Sequence, residues 1–156
     1  MLPFATYLIS GCAAPKADKG QGQQNLQIWS GRLSLNLASE PPRSFFAAFE
    51  LKGNASDGEL TLTSPLGSVL AAMRWAPGEA SLRIGQETQM FDSMESLTGH
   101  VTGASLPVRA LFDWLVGVNT SGAGWRADLS LLDQGRLVAT RTEPAPAAEL
   151  KLILDR

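Results

Sequence analysis

The chain has 156 residues, of which 44% are hydrophobic and 18% are charged, a composition typical of one folded domain. Its 13 Lys and Arg against 15 Asp and Glu leave a net charge of −2, which argues against a nucleic-acid-binding surface. One cysteine and one histidine exclude an internal disulfide and fall short of a zinc site, so we expect no metal and no cofactor.

The N-terminus is an apolar segment that leads into the cysteine. No charged residue lies between Leu2 and Gly11, and no stretch is long enough to span a membrane. Ile9-Ser10-Gly11-Cys12 resembles the lipobox of bacterial lipoproteins, whose cysteine is lipidated. A stray hydrophobic N-terminus with a buried cysteine is the alternative. We expect residues 1–11 to be a truncated lipoprotein signal peptide and Cys12 to be the site of lipid attachment.

The segment after the cysteine has a different composition. From Ala13 to about Gln24 it contains Pro, Lys, Gly and Gln with almost no apolar residue, which is typical of a flexible linker. We therefore expect residues 12–25 to be a lipid anchor with a tether, and residues 26–156 to be the folded domain.

The first part of the folded domain alternates between apolar and polar residues. This period predicts strands at 29–37, 45–51, 60–63 and 69–75, and a fifth strand around Leu82 and Ile84. Residues typical of turns separate these segments. Short strands joined by turns indicate an antiparallel meander.

The turn between the third and fourth strands places a leucine at its tip. Pro65 suits the second position of a type I turn and Gly67 the fourth, which leaves Leu66 at the third position. Without further information this leucine is either functional or one of the single apolar residues that are common on protein surfaces.

The middle of the chain changes to helical periodicity. The first predicted helix has its apolar residues at Phe91, Met94, Leu97 and Val101. A second helix begins at Pro107 and stops at Gly117. Strand patterns return at 125–131, 136–140 and 149–154, so the chain is mainly β with two to three helices.

Few side chains are suited to catalysis. His100 could be a general base, but a solvated histidine at a helix end is the simpler interpretation, so we expect no enzyme. Met73, Met90, Met94 and the four tryptophans either fill the core or line an adaptable apolar pocket, and the sequence leaves both open.

Three segments resemble the LolB family of outer-membrane lipoprotein receptors. These are Leu60 to Trp75 (LTLTSPLGSVLAAMRW), Trp29 to Leu33, and Ser93 to Gly117 with its Leu-Thr-Gly, Leu-Pro-Val and Leu-Phe-Asp-Trp-Leu-Val-Gly motifs. The resemblance implies a half-open antiparallel β-barrel with a helical lid and an apolar cavity for acyl chains. It also implies no catalytic residues.

The resemblance further implies a set of site residues. The turn Ser64-Pro65-Leu66-Gly67 is expected to be the membrane-insertion loop. The residues expected to line the acyl-chain cavity are Trp29, Leu33, Leu35, Phe45, Phe49, Leu60, Leu62, Met73, Trp75, Met94, Leu97, Leu111, Phe112 and Leu115.

The expected partners are a LolA-like periplasmic carrier, acylated lipoproteins and the inner leaflet of the outer membrane. The domain is expected to be a monomer, lipid-anchored in the outer membrane and facing the periplasm. The alternative function is an outer-membrane lipoprotein that acts as a scaffold for other envelope proteins through its sheet edge and has no lipid cavity. An enzyme is a third, weaker hypothesis.

Overall fold

The computed structural model describes residues 27–156, which form one antiparallel sheet of nine strands with two α-helices packed against it. The strands are β1 Ile28–Leu37, β2 Arg43–Gly53, β3 Gly58–Thr63, β4 Val69–Ala76, β5 Glu79–Ile84, β6 Glu87–Phe91, β7 Trp125–Asp128, β8 Arg136–Arg141 and β9 Ala148–Leu154. The helices are α1 Met94–Thr102 and α2 Val108–Leu115, and a short 3-10 turn spans Leu132–Gln134.

The sheet is a meander that is extended on one side by the C-terminal strands. Its strand order is β6-β5-β4-β3-β2-β1-β9-β8-β7, so β1 pairs with both β2 and β9. Leu35, for example, lies opposite Phe45 on one side and Leu150 on the other. Among residues 27–156, the edge strands β6 and β7 do not pair with each other. The prediction of a half-open antiparallel barrel with helices is thus confirmed.

The core lies between one face of the sheet and the two helices. Alternate residues of β4, namely Ala71, Met73 and Trp75, are buried, as the period-2 pattern predicted. Residues at helical spacing on α2, including Phe112 and Leu115, are buried against them. Each fully buried side chain of this size stabilises the fold by about 1.5–3 kcal/mol.

The helix ends follow the cues in the sequence. Ser93 caps α1, because its hydroxyl accepts a hydrogen bond from the Ser96 N–H at 3.1 Å. Gly117, the predicted stop signal, follows α2 with a φ of 85°, and its N–H donates to the Trp114 carbonyl at 3.0 Å.

Two boundaries differ from the prediction by three residues. Phe91 is the last residue of β6 and not part of α1, because the Ser93 cap starts the helix at Met94. Strand β6 was not predicted, because residues 87–90 of this edge strand are exposed and carry no alternating pattern. Strand β7 ends at Asp128 instead of Leu131, and the chain then enters the 3-10 turn.

Candidate functional site

The turn between β3 and β4 has the geometry that the sequence predicted. The Gly67 N–H donates to the Ser64 carbonyl at 2.9 Å, and the Ser64 N–H donates to the Ser68 carbonyl at 2.8 Å. Gly67 has a φ of 87°, which favours glycine at this position. Leu66 is therefore held at the tip, where its side chain is 96% exposed.

The hairpin that carries Leu66 has no charged side chain near its tip. From Leu60 to Met73, fourteen consecutive residues are uncharged. The charged residues that flank this run, Glu59 and Arg74, form a salt bridge of 3.2 Å with each other. The tip can thus contact an apolar phase without the desolvation of a charged group.

All fourteen predicted cavity residues lie in the apolar interior between the sheet and the helices. Eight of them are buried, namely Leu35, Phe49, Met73, Trp75, Met94, Leu97, Phe112 and Leu115. Six are partly buried and pack against these, namely Trp29, Leu33, Phe45, Leu60, Leu62 and Leu111. The structure brings these residues into one cluster, and their acyl-binding role stays a prediction.

The helices are held on the sheet mainly by apolar contacts. The Phe112 ring of α2 lies 5.5 Å from the ring of Trp29 and 6.2 Å from that of Trp75, between centroids. In residues 27–156, one hydrogen bond joins α1 to a strand, from the Arg43 guanidinium to the Val101 carbonyl at 3.4 Å. None joins α2 to a strand within the same range. Such non-directional packing can rearrange around an inserted apolar molecule.

Charged residues contribute to the walls of three surface clefts formed by residues 27–156. One of about 610 Å³ includes Lys52, Glu59 and Arg74 in its wall, and one of about 400 Å³ adds Arg83. A third, of about 210 Å³, lies at the start of α1. Of the fourteen predicted cavity residues, only Trp75 and Met94 line any of these three clefts. The apolar interior, and not these clefts, is therefore the candidate site for acyl chains.

The residues weighed for catalysis are not assembled into a site. His100 is exposed in the last turn of α1, and its ring centroid lies 5.4 Å from that of Phe91. No hydrogen bond to the His100 side chain is present among residues 27–156. The same part of the chain contains no group of three or more His, Cys, Asp or Glu side chains that could hold a metal ion.

Some predicted residues have no structural account here. The predicted signal peptide (residues 1–11), Cys12 with the tether (residues 12–25), and Leu26 at the start of the predicted domain all lie outside the described residues 27–156. Within residues 27–156, neither helix has the length and hydropathy needed to cross a bilayer.

Phe46 and Leu70, two apolar side chains that are exposed near the Leu66 turn, were not among the predicted site residues. Each is next in the chain to a residue of the predicted inner face. The available signal was an apolar residue at a position where the alternation predicts a polar one.

The domain is a half-open antiparallel barrel with helices on its apolar face and a leucine at the tip of an uncharged hairpin. It therefore belongs to the class of β domains with an apolar interior. A family model described as "Outer membrane lipoprotein LolB" matches residues 27–147. The chain belongs to this family.

Two relatives agree with the family match. The outer-membrane lipoprotein LolB of Bordetella petrii is 28% identical over 175 residues, which cover 96% of this chain and 87% of the relative. The protein of the same name from Chromobacterium violaceum is 33% identical over 133 residues, which cover 82% and 72% respectively. Family membership supports a role in the localisation of lipoproteins at the outer membrane.

Proposed function

We propose that this protein is a receptor, lipid-anchored in the outer membrane through Cys12 and facing the periplasm. It accepts lipoproteins from a LolA-like carrier, holds their acyl chains in the apolar interior and inserts them into the inner leaflet. The observation that carries this proposal is the leucine held 96% exposed at the tip of an uncharged hairpin, on a domain of the LolB family.

The energetics of acyl chains require such a binding site. A triacylated cysteine carries roughly 45 methylenes, each worth about 0.8 kcal/mol on burial, so its chains cannot cross the periplasm in water. The receptor therefore binds these chains more tightly than the carrier does and less tightly than the bilayer. Transfer along this order of affinities needs no nucleotide.

The interior can admit acyl chains because of how its lid is held. The apolar faces of α1 and α2 pack on the sheet without a network of hydrogen bonds to the described strands. Met73 and Met94 lie in this interface, and their unbranched side chains adapt to irregular shapes. Acyl chains would take the place of the helix contacts and separate the lid from the sheet.

Leu66 acts at release and not as the anchor. Burial of one leucine yields about 1.5–3 kcal/mol, which is small beside three acyl chains. The hydrogen-bonded turn keeps this side chain ready to enter the leaflet, since Pro65 and Gly67 already fix the backbone. Its entry would place the domain against the bilayer when the cargo leaves.

The experiment replaces Leu66 with glutamate. We expect Leu66→Glu to accept a labelled lipoprotein from the carrier as the wild type does, but to lose most of its transfer into liposomes. Charge at the tip opposes entry into the leaflet. Ile153→Glu is the matched control, because Ile153 is also exposed but lies on β9. Normal transfer by Leu66→Glu would refute the role of this loop.

A scaffold function is the second candidate, favoured by one observation. Within residues 27–156, β6 is an edge strand with an unpaired side, and such an edge can bind a strand of another protein. Co-purification of lipid with the protein separates the two functions. Bound lipid supports the receptor, and its absence together with capture of an envelope protein through β6 supports the scaffold.

A further inference from the structure

Leu66 is not the only exposed apolar side chain at its end of the sheet. We propose that Phe46, Val69 and Leu70 form with Leu66 one membrane-contact face, which binds the surface of an anionic phospholipid bilayer. This proposal rests on the proposed function and extends it from one residue to a face of the domain. It also fixes which side of the sheet lies toward the membrane.

Strand register places these residues on the outer side of the sheet. Ala48, Thr63 and Val69 lie opposite one another on β2, β3 and β4. The neighbouring set, Phe49, Leu62 and Ala71, belongs to the inner face, where Phe49 and Ala71 are buried. Because side chains alternate along a strand, the set that contains Val69 points away from the core.

A β-bulge in β4 adds a second exposed apolar side chain, Leu70, beside Val69. The register shifts between Leu62 and Thr63, so that β4 has one extra residue, Leu70, between the partners of these two. Val69 and Leu70 are 56% and 44% exposed as a consequence. Bulges commonly redirect a side chain at the end of a strand, and here the bulge lies directly beside the Leu66 turn.

Phe46 on β2 is the fourth residue of the proposed contact face. It lies two residues from Ala48 toward the side of the turn, which returns it to the outer face, and it is 69% exposed. Strands β2 and β4 are two strand spacings apart, about 10 Å, so one contact surface can include residues of both strands. Several exposed apolar side chains grouped in this way indicate an interaction site.

Charge complementarity favours an anionic membrane as the occupant. Arg32 lies opposite Ala48, and Arg83 lies opposite Ala72, so one exposed cation flanks the face on each side. Neither arginine forms a salt bridge among residues 27–156. An apolar centre with a cationic rim is the pattern of interfacial membrane binding.

Two acidic residues on the same outer face are already paired with cations. Glu50 binds Lys52 at 2.6 Å, and Glu59 binds Arg74 at 3.2 Å, both farther from the tip than Val69. Two unpaired arginines therefore remain near the apolar residues, and they can meet lipid phosphates.

The test measures which residues contact lipid. Phe46→Cys, Leu66→Cys, Leu70→Cys and, as control, Ile153→Cys are each labelled with a small fluorophore on the anchored protein in vesicles of phosphatidylethanolamine and phosphatidylglycerol. Spin-labelled lipids should quench the fluorophore at Phe46, Leu66 and Leu70 several-fold more than at Ile153. Ile153 is exposed on the outward side of β9, opposite Arg32 and one strand beyond it, four strand spacings or about 19 Å along the row from Val69.

The outcomes separate this inference from the proposed function. Quenching at Leu66 alone, with Phe46 and Leu70 at the level of Ile153, overturns the extended face and leaves the loop intact. Quenching at none of the labelled positions overturns both the extended face and the proposed role of the Leu66 loop. The double variant Arg32→Gln, Arg83→Gln should lower transfer several-fold into vesicles that contain phosphatidylglycerol and leave transfer into uncharged vesicles unchanged. Equal loss in both types of vesicle would overturn the cationic rim.

Discussion

The contact of Phe112 with the sheet offers the sharpest test of how the helical lid is held. Phe112 is 8% exposed, and its ring packs between Trp29 and Trp75 at 5.5 and 6.2 Å. Phe112→Ala removes the largest side chain through which α2 meets both tryptophans. The change should lower the free energy of unfolding by about 3–5 kcal/mol, from lost burial and the cavity that remains.

The size of this effect keeps the experiment practicable. A domain of this length has a stability of about 5–15 kcal/mol, so most of the variant should stay folded. Each kcal/mol lowers Tm by about 2–4 °C at this chain length, which gives a decrease on the order of 10 °C. Phe46→Ala is the matched control, because Phe46 is the same residue type at 69% exposure and should change stability by less than about 0.5 kcal/mol.

The assay combines denaturant unfolding with the binding of an apolar fluorophore, on a Cys12→Ser chain that lacks the proposed lipidation site. We expect the probe to bind the interior, to be displaced by an acylated peptide, and to bind more tightly to Phe112→Ala, because the substitution opens space beside Trp29 and Trp75. Two results would refute the reasoning. One is a loss of stability below about 1 kcal/mol, and the other is weaker probe binding by a variant that remains folded.

Two further substitutions test local features. Gly67→Val should lower the free energy of unfolding by about 1–2 kcal/mol and reduce lipoprotein transfer, because a β-branched residue is strained at a φ of 87°. Gly67→Asn is the control and should be tolerated better, so equal transfer by both variants would contradict this prediction. Trp125→Phe should lower the free energy of unfolding in urea by about 1–3 kcal/mol, because the fully buried indole N–H donates to the Ser105 carbonyl at 2.8 Å. A decrease below about 0.5 kcal/mol would show that this hydrogen bond is not needed.

Local patterns in the sequence predicted much of the fold. The alternation in β1 to β5 and the turn chemistry of Pro65 and Gly67 are short-range signals, and both were confirmed. The cluster of predicted cavity residues was also found together, because one apolar face per element must be buried. The edge strand β6 was missed, since exposed residues at an edge carry no period that distinguishes a strand from a loop.

The sequence by itself determined strands β1 to β5, the stop signal at Gly117 and the leucine at the tip of an uncharged turn, since each depends on residues close together in the chain. Tertiary structure alone decided that β9 pairs with β1, which brings Ser30 within 2.9 Å of Asp155. It also decided that Phe46, Val69 and Leu70 lie on one side of the sheet, because this follows from strand register and a bulge. Which strands pair depends on contacts between distant segments, and the local alternation gives the two faces of a strand but not its partner.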